Sequence, residues 1–180
     1  VLWRYAHPGS SRSSAKMGIG LHAGKVLVPT SDLRLLALNA KDGTLIWNHA
    51  IDTRAPAATG RAQYQLRTAP LVVGDKVIQG VTASFMPKGG FIVAVDINSG
   101  EERWRFDSIA RPGEPGGETW NNLPIEKRSG GSVWHQGTYD AELNLVYFGI
   151  APTYDTGPLL HELDAANVSN AALYTTCTVA

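Results

Sequence analysis

Glu114 and Glu118 lie four positions apart and are the closest thing in this chain to a carboxylate pair for acid and base work. They sit in a run of prolines and glycines, where the ordinary place for such residues is solvent or an ion pair with Arg111. Ser132 falls in Gly130-Gly131-Ser132-Val133-Trp134, which is not the sharp turn that exposes a hydrolase nucleophile. His7, His22, His49, His135 and His161 show no pairing at metal-ligand spacing, so each is read as a surface or strand-edge residue. Cys177 is the single cysteine, which excludes an intrachain disulfide and a cysteine-rich zinc site. No glycine run stands between a strand and a helix, as phosphate or dinucleotide binding requires.

The elements that must position any chemistry are legible in a repeat. Ala37-Leu38-Asn39-Ala40-Lys41-Asp42-Gly43-Thr44-Leu45-Ile46-Trp47 and Ala94-Val95-Asp96-Ile97-Asn98-Ser99-Gly100-Glu101-Glu102-Arg103-Trp104 share one signature. Alanine leads, glycine follows six positions on and tryptophan ten positions on. Alternating residues before the glycine predict a strand, and the glycine marks a tight turn at positive φ. In the returning strand Leu45 and Trp47 are expected to share a face, with the indole docking against the next repeat. Each copy thus reads as a β-hairpin closed by an aromatic clamp. A recurrence of about fifty residues is the mark of a solenoid or propeller.

Val1-Leu2-Trp3-Arg4-Tyr5 resembles the strand after such a turn, so the chain is expected to be a piece of a longer one that begins within a motif. Residues 174–180 read as the start of a further strand. Leu143 to Ile150 is another apolar strand, whereas helix is confined to a turn or two near residues 164–173. Residues 109–131 carry Pro112, Gly113, Pro115, Gly116, Gly117, Pro124, Gly130 and Gly131, an irregular insertion of the kind that serves function in a compact β protein.

The chain has 180 residues, with 16 basic and 16 acidic side chains balanced to zero net charge. That balance gives no electrostatic footing for nucleic acid or an acidic membrane surface. No apolar run reaches the roughly twenty residues of a bilayer span, and no leader segment is evident.

Several segments together carry a resemblance. They are the two signatures, Arg105-Phe106, residues 112–120, Gly130-Gly131-Ser132-Val133-Trp134, Tyr139-Asp140 and Leu145-Val146-Tyr147-Phe148-Gly149. The chain is similar over nearly its whole length to the quinoprotein alcohol dehydrogenases, with residues 113–149 the most specific part. The resemblance implies an all-β fold: a partial β-propeller of about three four-stranded blades out of eight. A single domain over 1–180 is expected, with a blade end at 1–5, blades at 18–51 and 69–107, the insertion at 109–131 and a blade start at 132–180. It implies a periplasmic oxidoreductase that oxidises a small hydroxyl-bearing substrate, of alcohol or sugar type, with pyrroloquinoline quinone and calcium, and passes electrons to an acceptor.

Residue by residue, the resemblance places Trp134 where the quinone ring lies, with Gly130 and Gly131 allowing close backbone approach. On the residues alone the favoured reading of Trp134 is an interblade core aromatic, and the resemblance turns it to quinone stacking. The family threonine position falls on Arg67, with Thr68 one place late, and Arg67 offers a clamp for a quinone carboxylate. The family's calcium-binding glutamate falls on Phe85, its asparagine ligand near Pro152 and its quinone-contacting arginine on Met17, while Arg12-Ser13-Ser14 stands where an adjacent cysteine pair is found. Asp155 is the remaining candidate metal ligand, against its reading as a plain turn residue. The catalytic aspartate of the family is expected beyond Ala180. The alternative is a non-catalytic propeller of the same superfamily that kept the blades, lost the cofactor and serves as a protein-interaction scaffold.

Overall fold

The computed structural model describes residues 1–9, 18–55, 63–153, 168–169 and 171–180. Met17, Arg12-Ser13-Ser14, Asp155, His161 and most of the expected helical turn near 164–173 lie outside these residues.

Among the described residues twelve strands form three antiparallel sheets. The first runs β1 (Gly20–His22), β2 (Lys25–Pro29), β3 (Arg34–Asn39) and β4 (Leu45–Ala50) in sequence order. In the second, β7 (Lys76–Ser84) pairs with β8 (Phe91–Asp96), and β8 with β9 (Glu102–Asp107). β5 (Gln63–Gln65) and β6 (Leu71–Val73) both pair with β7, at opposite ends of its length. The third holds β10 (Thr138–Asp140), β11 (Leu145–Ile150) and β12 (Cys177–Val179).

β7 and β8 read as near-continuous apolar runs because both their faces are covered. Val77, Val81, Ala83, Val93 and Val95 join Leu27, Leu35, Ala37 and Trp47 in one core, between the first and second sheets. Ile78, Ile92 and Ala94 join Val133, Phe148 and Ile150 in another, between the second and third. The alternation that sends successive residues to opposite faces therefore lets one sheet serve two cores. The sheets approach each other at their first strands: a Cβ on Gly20 would lie 3.3 Å from Pro70, and Gln136 Nε2 donates to the Pro70 carbonyl at 3.5 Å.

The two signatures fold alike. Gly43 and Gly100 both take φ of 75°, and each donates its N–H back to the residue four before it, Asn39 or Asp96. Trp3 Nε1 donates to the Ala40 carbonyl at 3.0 Å, and Trp47 Nε1 to the Ile97 carbonyl at 3.0 Å. Each indole of these two thus sits on the turn of the following repeat. Trp104 packs instead against the core of Ile78, Ile92, Ala94, Val133, Phe148 and Ile150 between the second and third sheets.

One expectation about faces is corrected. The β3/β4 register shifts between Ala37 and Leu38, so that Ala37 faces Trp47 while Leu38 faces Leu45. This bulge gives β4 one extra residue and turns Leu45 outward, 44% exposed, while Trp47 is 8% exposed. The β8/β9 pair shifts at the matching place, between Ala94 and Val95.

Candidate functional site

The segment 130–134 is held by backbone on both sides. Gly90 donates to the Gly130 carbonyl at 3.0 Å, Gly131 to Pro152 at 3.2 Å, Val133 to Val81 at 3.3 Å, and Ala151 to Ser132 at 2.9 Å. Ser132 is fully buried, and its Oγ accepts the N–H of Ala83 at 3.0 Å. Its hydroxyl therefore works as a strut between β7 and this segment. Val133 fills the space over Gly80, where a Cβ would come within 2.5 Å of a Val133 methyl.

Gly130 and Gly131 have φ of 103° and 57°. A Cβ on Gly130 would meet the Pro152 carbonyl at 2.5 Å, and one on Gly131 would meet Ser108 Oγ at 2.7 Å. Close packing within the protein already requires glycine at both positions. Ser108 donates to the Gly90 carbonyl at 2.6 Å and also contacts the Gly131 carbonyl, closing this joint.

Trp134 emerges from the segment 40% exposed, with the His135 ring edge-on at 6.3 Å between centroids. It is a large aromatic face on a rigid support, next to the convergence of the sheets at Pro70 and Gln136. A planar ring stacks on such a face, so Trp134 fits a flat cofactor. The Thr68 carbonyl accepts Gln79 Nε2 at 3.4 Å, one residue before Gly80. Gln79 is buried with its Oε1 unpartnered, as is Thr82 Oγ1. Arg67 is exposed and donates through Nε to Gln65 Oε1 at 2.5 Å.

The described residues do not fit a hard cation. Phe85 supplies only hydrocarbon, 48% exposed, at a left-handed φ of 53°. The Pro152 carbonyl accepts Gly131 N–H. Among the described residues no group of three His, Cys, Asp or Glu side chains is placed to hold a metal.

The insertion is better ordered than its composition suggests. Two short 3-10 turns, Gly117–Trp120 and Ile125–Lys127, wrap a small core of Ile109, Ala110, Trp120 and Ala172. Arg128 is buried there, donating to the carbonyls of Leu123 at 2.7 Å, Gly117 at 3.2 Å and Ala110, and its burial pulls its pKa down. Arg111 is corrected as the partner of Glu114: its guanidinium pairs with Asp107, and Glu114 Oε2 accepts the Arg111 backbone N–H at 3.0 Å. Cys177 is half-buried with its thiol bonded to the Tyr174 carbonyl, and burial raises its pKa. Nothing in the sequence pattern marks Arg128, because a buried cation satisfied by carbonyls leaves no periodic trace.

Sheets that converge on a common edge and clamp one another by tryptophan on glycine define a partial β-propeller. The family model for the glucose/ethanol/alcohol dehydrogenase β-propeller domain, of pyrroloquinoline quinone type, matches residues 4–177, and the chain belongs to that family. Over 170 residues it is 33% identical to quinohemoprotein alcohol dehydrogenase ADH-IIG of Pseudomonas putida, covering 83% of this chain and 23% of that one. It is 30% identical over 179 residues to the lanthanide-dependent methanol dehydrogenase of Methylacidiphilum fumariolicum, covering 83% of this chain and 27% of the relative. The crystal structure of quinohemoprotein alcohol dehydrogenase from Comamonas testosteroni superposes with a TM-score of 0.70 at 28% identity, covering 89% of this chain and 24% of that one. The chain spans about a quarter of the length of the curated relatives it matches.

Proposed function

We propose that this chain is part of a quinone-dependent dehydrogenase in which Trp134 is the platform for pyrroloquinoline quinone. The observation that carries the reading is the half-exposed indole on a segment whose backbone is bonded to β7 on one side and to Ala151–Pro152 on the other. Bound there, the quinone would supply a two-electron acceptor for a hydroxyl-bearing substrate of alcohol or sugar type. The part assigned to this chain is positional. Ser132 and Val133 fix the height of the indole, Gly130 and Gly131 admit the tight backbone joint beneath it, and Thr68, whose carbonyl is bonded to Gln79 of β7, is offered as a further contact. Arg67 has a guanidinium for a quinone carboxylate if it exchanges its bond to Gln65. No step is assigned to calcium, because Phe85 offers no ligand atom. An electron acceptor and a periplasmic setting follow from the same reading.

A second reading is favoured by Phe85 and by the glycines whose space the protein itself fills: a propeller that binds no quinone and presents its surface to other proteins. Titration of the intact protein with pyrroloquinoline quinone, in chelator and then with added calcium, separates the two. Saturable quenching of tryptophan fluorescence that is lost in Trp134→Ala supports the first reading; no quenching under either condition supports the second. Dye reduction with primary alcohols then tests turnover.

A further inference from the structure

A cleft of about 230 Å³ is lined by Arg54, Tyr64, Lys88, Phe91, Asp107 and Arg111 among others. Its charge is uneven. Arg111 directs Nε and Nη2 at a single oxygen of Asp107, at 3.0 and 2.5 Å. Arg54 Nη2 reaches Glu102 at 3.2 Å, but Glu102 is also held by Arg105 at 2.9 Å. Arg105 lies 4.1 Å over the Phe91 ring, 5% exposed, so it adds positive potential from beneath the cleft wall. Among the described residues Lys88 makes no ion pair. Three arginines therefore share two carboxylates, and Lys88 brings a fourth positive charge with no ion-pair partner among the described residues.

The cleft is also built rather than incidental. Lys88 and Arg54 both have left-handed backbones, with φ of 70° and 51°. Such a conformation costs a non-glycine residue on the order of 1 kcal/mol and persists where the surroundings fix it. The surroundings here are specific: Lys88 N–H donates to the Arg128 carbonyl at 2.9 Å, and the Tyr64 hydroxyl bridges the Pro87 and Gly89 carbonyls at 3.3 Å each. Arg54 N–H is held by Asp52 Oδ1 at 2.9 Å. The Lys88 loop is thus pinned on both flanks, and Arg54 is held through its own N–H.

We propose that this cleft binds a small oxyanion, the phosphate or carboxylate group of a low-molecular-weight ligand, between Lys88, Arg54 and Arg111. Arginine and lysine donors placed around a concave wall suit a polyatomic anion, because each oxygen can accept a charge-assisted bond. The concave wall and the volume of about 230 Å³ suit a small molecule. The ligand would displace part of the Arg111 hold on Asp107, whose one oxygen takes both donors.

The test uses the intact protein and isothermal titration with inorganic phosphate and, separately, succinate, at fixed ionic strength in chloride. One saturable site per chain is expected for at least one of them, and which anion binds tighter assigns the phosphate or the carboxylate class. Lys88→Gly and Arg54→Gly keep their backbone conformations without strain, and each is expected to weaken binding by about tenfold or more. Unchanged melting temperatures in chloride show that the variants are folded. Absence of binding beyond the chloride control for both anions, or wild-type affinity in both variants, overturns the proposal. The readout uses no quinone, so its failure is separate from any failure of quinone binding.

Discussion

Gly100 lies beneath the indole of Trp47: a Cβ on this glycine would come within 2.8 Å of the ring, and φ is 75°. Two penalties therefore meet at one position, a left-handed backbone and an overfilled contact. Gly100→Ala is expected to destabilise the protein by about 2–4 kcal/mol, read from urea unfolding of the intact protein. Gly74 provides the control, because its φ is 56° with open space at the Cβ position. Gly74→Ala carries only the backbone penalty, about 1 kcal/mol. Equal losses in the two variants would mean that the indole contact contributes nothing.

The turn before Gly100 gives a pH signature. Asp96 accepts the N–H groups of Asn98 and Ser99 at 2.8 and 2.9 Å and the Arg103 guanidinium at 2.7 Å. The Arg103 bond, then the two backbone bonds, hold its carboxyl well below the usual carboxylate range. A depressed folded pKa stabilises fully above the unfolded value of about 4 and fades as pH falls toward the folded value. Asp96→Asn is therefore expected to be less stable than the parent by a constant margin from pH 5 to 8, with the margin shrinking below about pH 4. A margin that vanishes by pH 6 would assign the effect to another group. Denaturant midpoints across the series give the answer.

Much of the fold was legible because the signature couples two residue types whose physics is local and whose partner is remote. Gly43 and Gly100 need positive φ, and Trp3 and Trp47 need a flat surface to bury an indole, so spacing alone shows which turn meets which ring. The bulge that turns Leu45 outward left no mark, since alternation counts residues and not ladder register. The expected site was legible in part. Trp134 stands exposed at the end of its segment, whereas the roles of Gly130 and Gly131 emerge only from contacts with Pro152 and Ser108. Arg54, Lys88 and Arg111 meet across three loops. No window of sequence contains such a cleft.

Trp134 separates stability from binding. It is 40% exposed, so more than half of the indole is covered, and Trp134→Ala is expected to cost about 2–3 kcal/mol in urea unfolding. Under the proposed function the same change also removes the stacking face, so quinone affinity should fall by about tenfold or more, with Trp134→Phe between the two. Unchanged quinone affinity in Trp134→Ala, with the stability loss present, would reassign the residue to packing between sheets.

Arg128 ties the insertion to the rest of the molecule. Its guanidinium donates to three carbonyls within 110–123 and stacks 5.4 Å from Trp120, while its own carbonyl accepts Lys88 N–H at 2.9 Å. Gly130 follows two residues later and bonds to Gly90, so the same loop is gripped twice. Arg128→Met keeps an unbranched stem but leaves buried carbonyls unpaired, at a cost of about 2–4 kcal/mol. Arg128→Lys retains the charge yet lacks the planar fork, so it should recover little. Because a guanidinium stays protonated throughout the accessible range, the loss should be the same from pH 5 to 9. Hydrogen exchange localises it: amides of 117–128 should lose protection in both variants while those of β2 and β3 keep theirs. Wild-type protection in Arg128→Lys would show that charge alone, and not the forked geometry, holds the insertion in place.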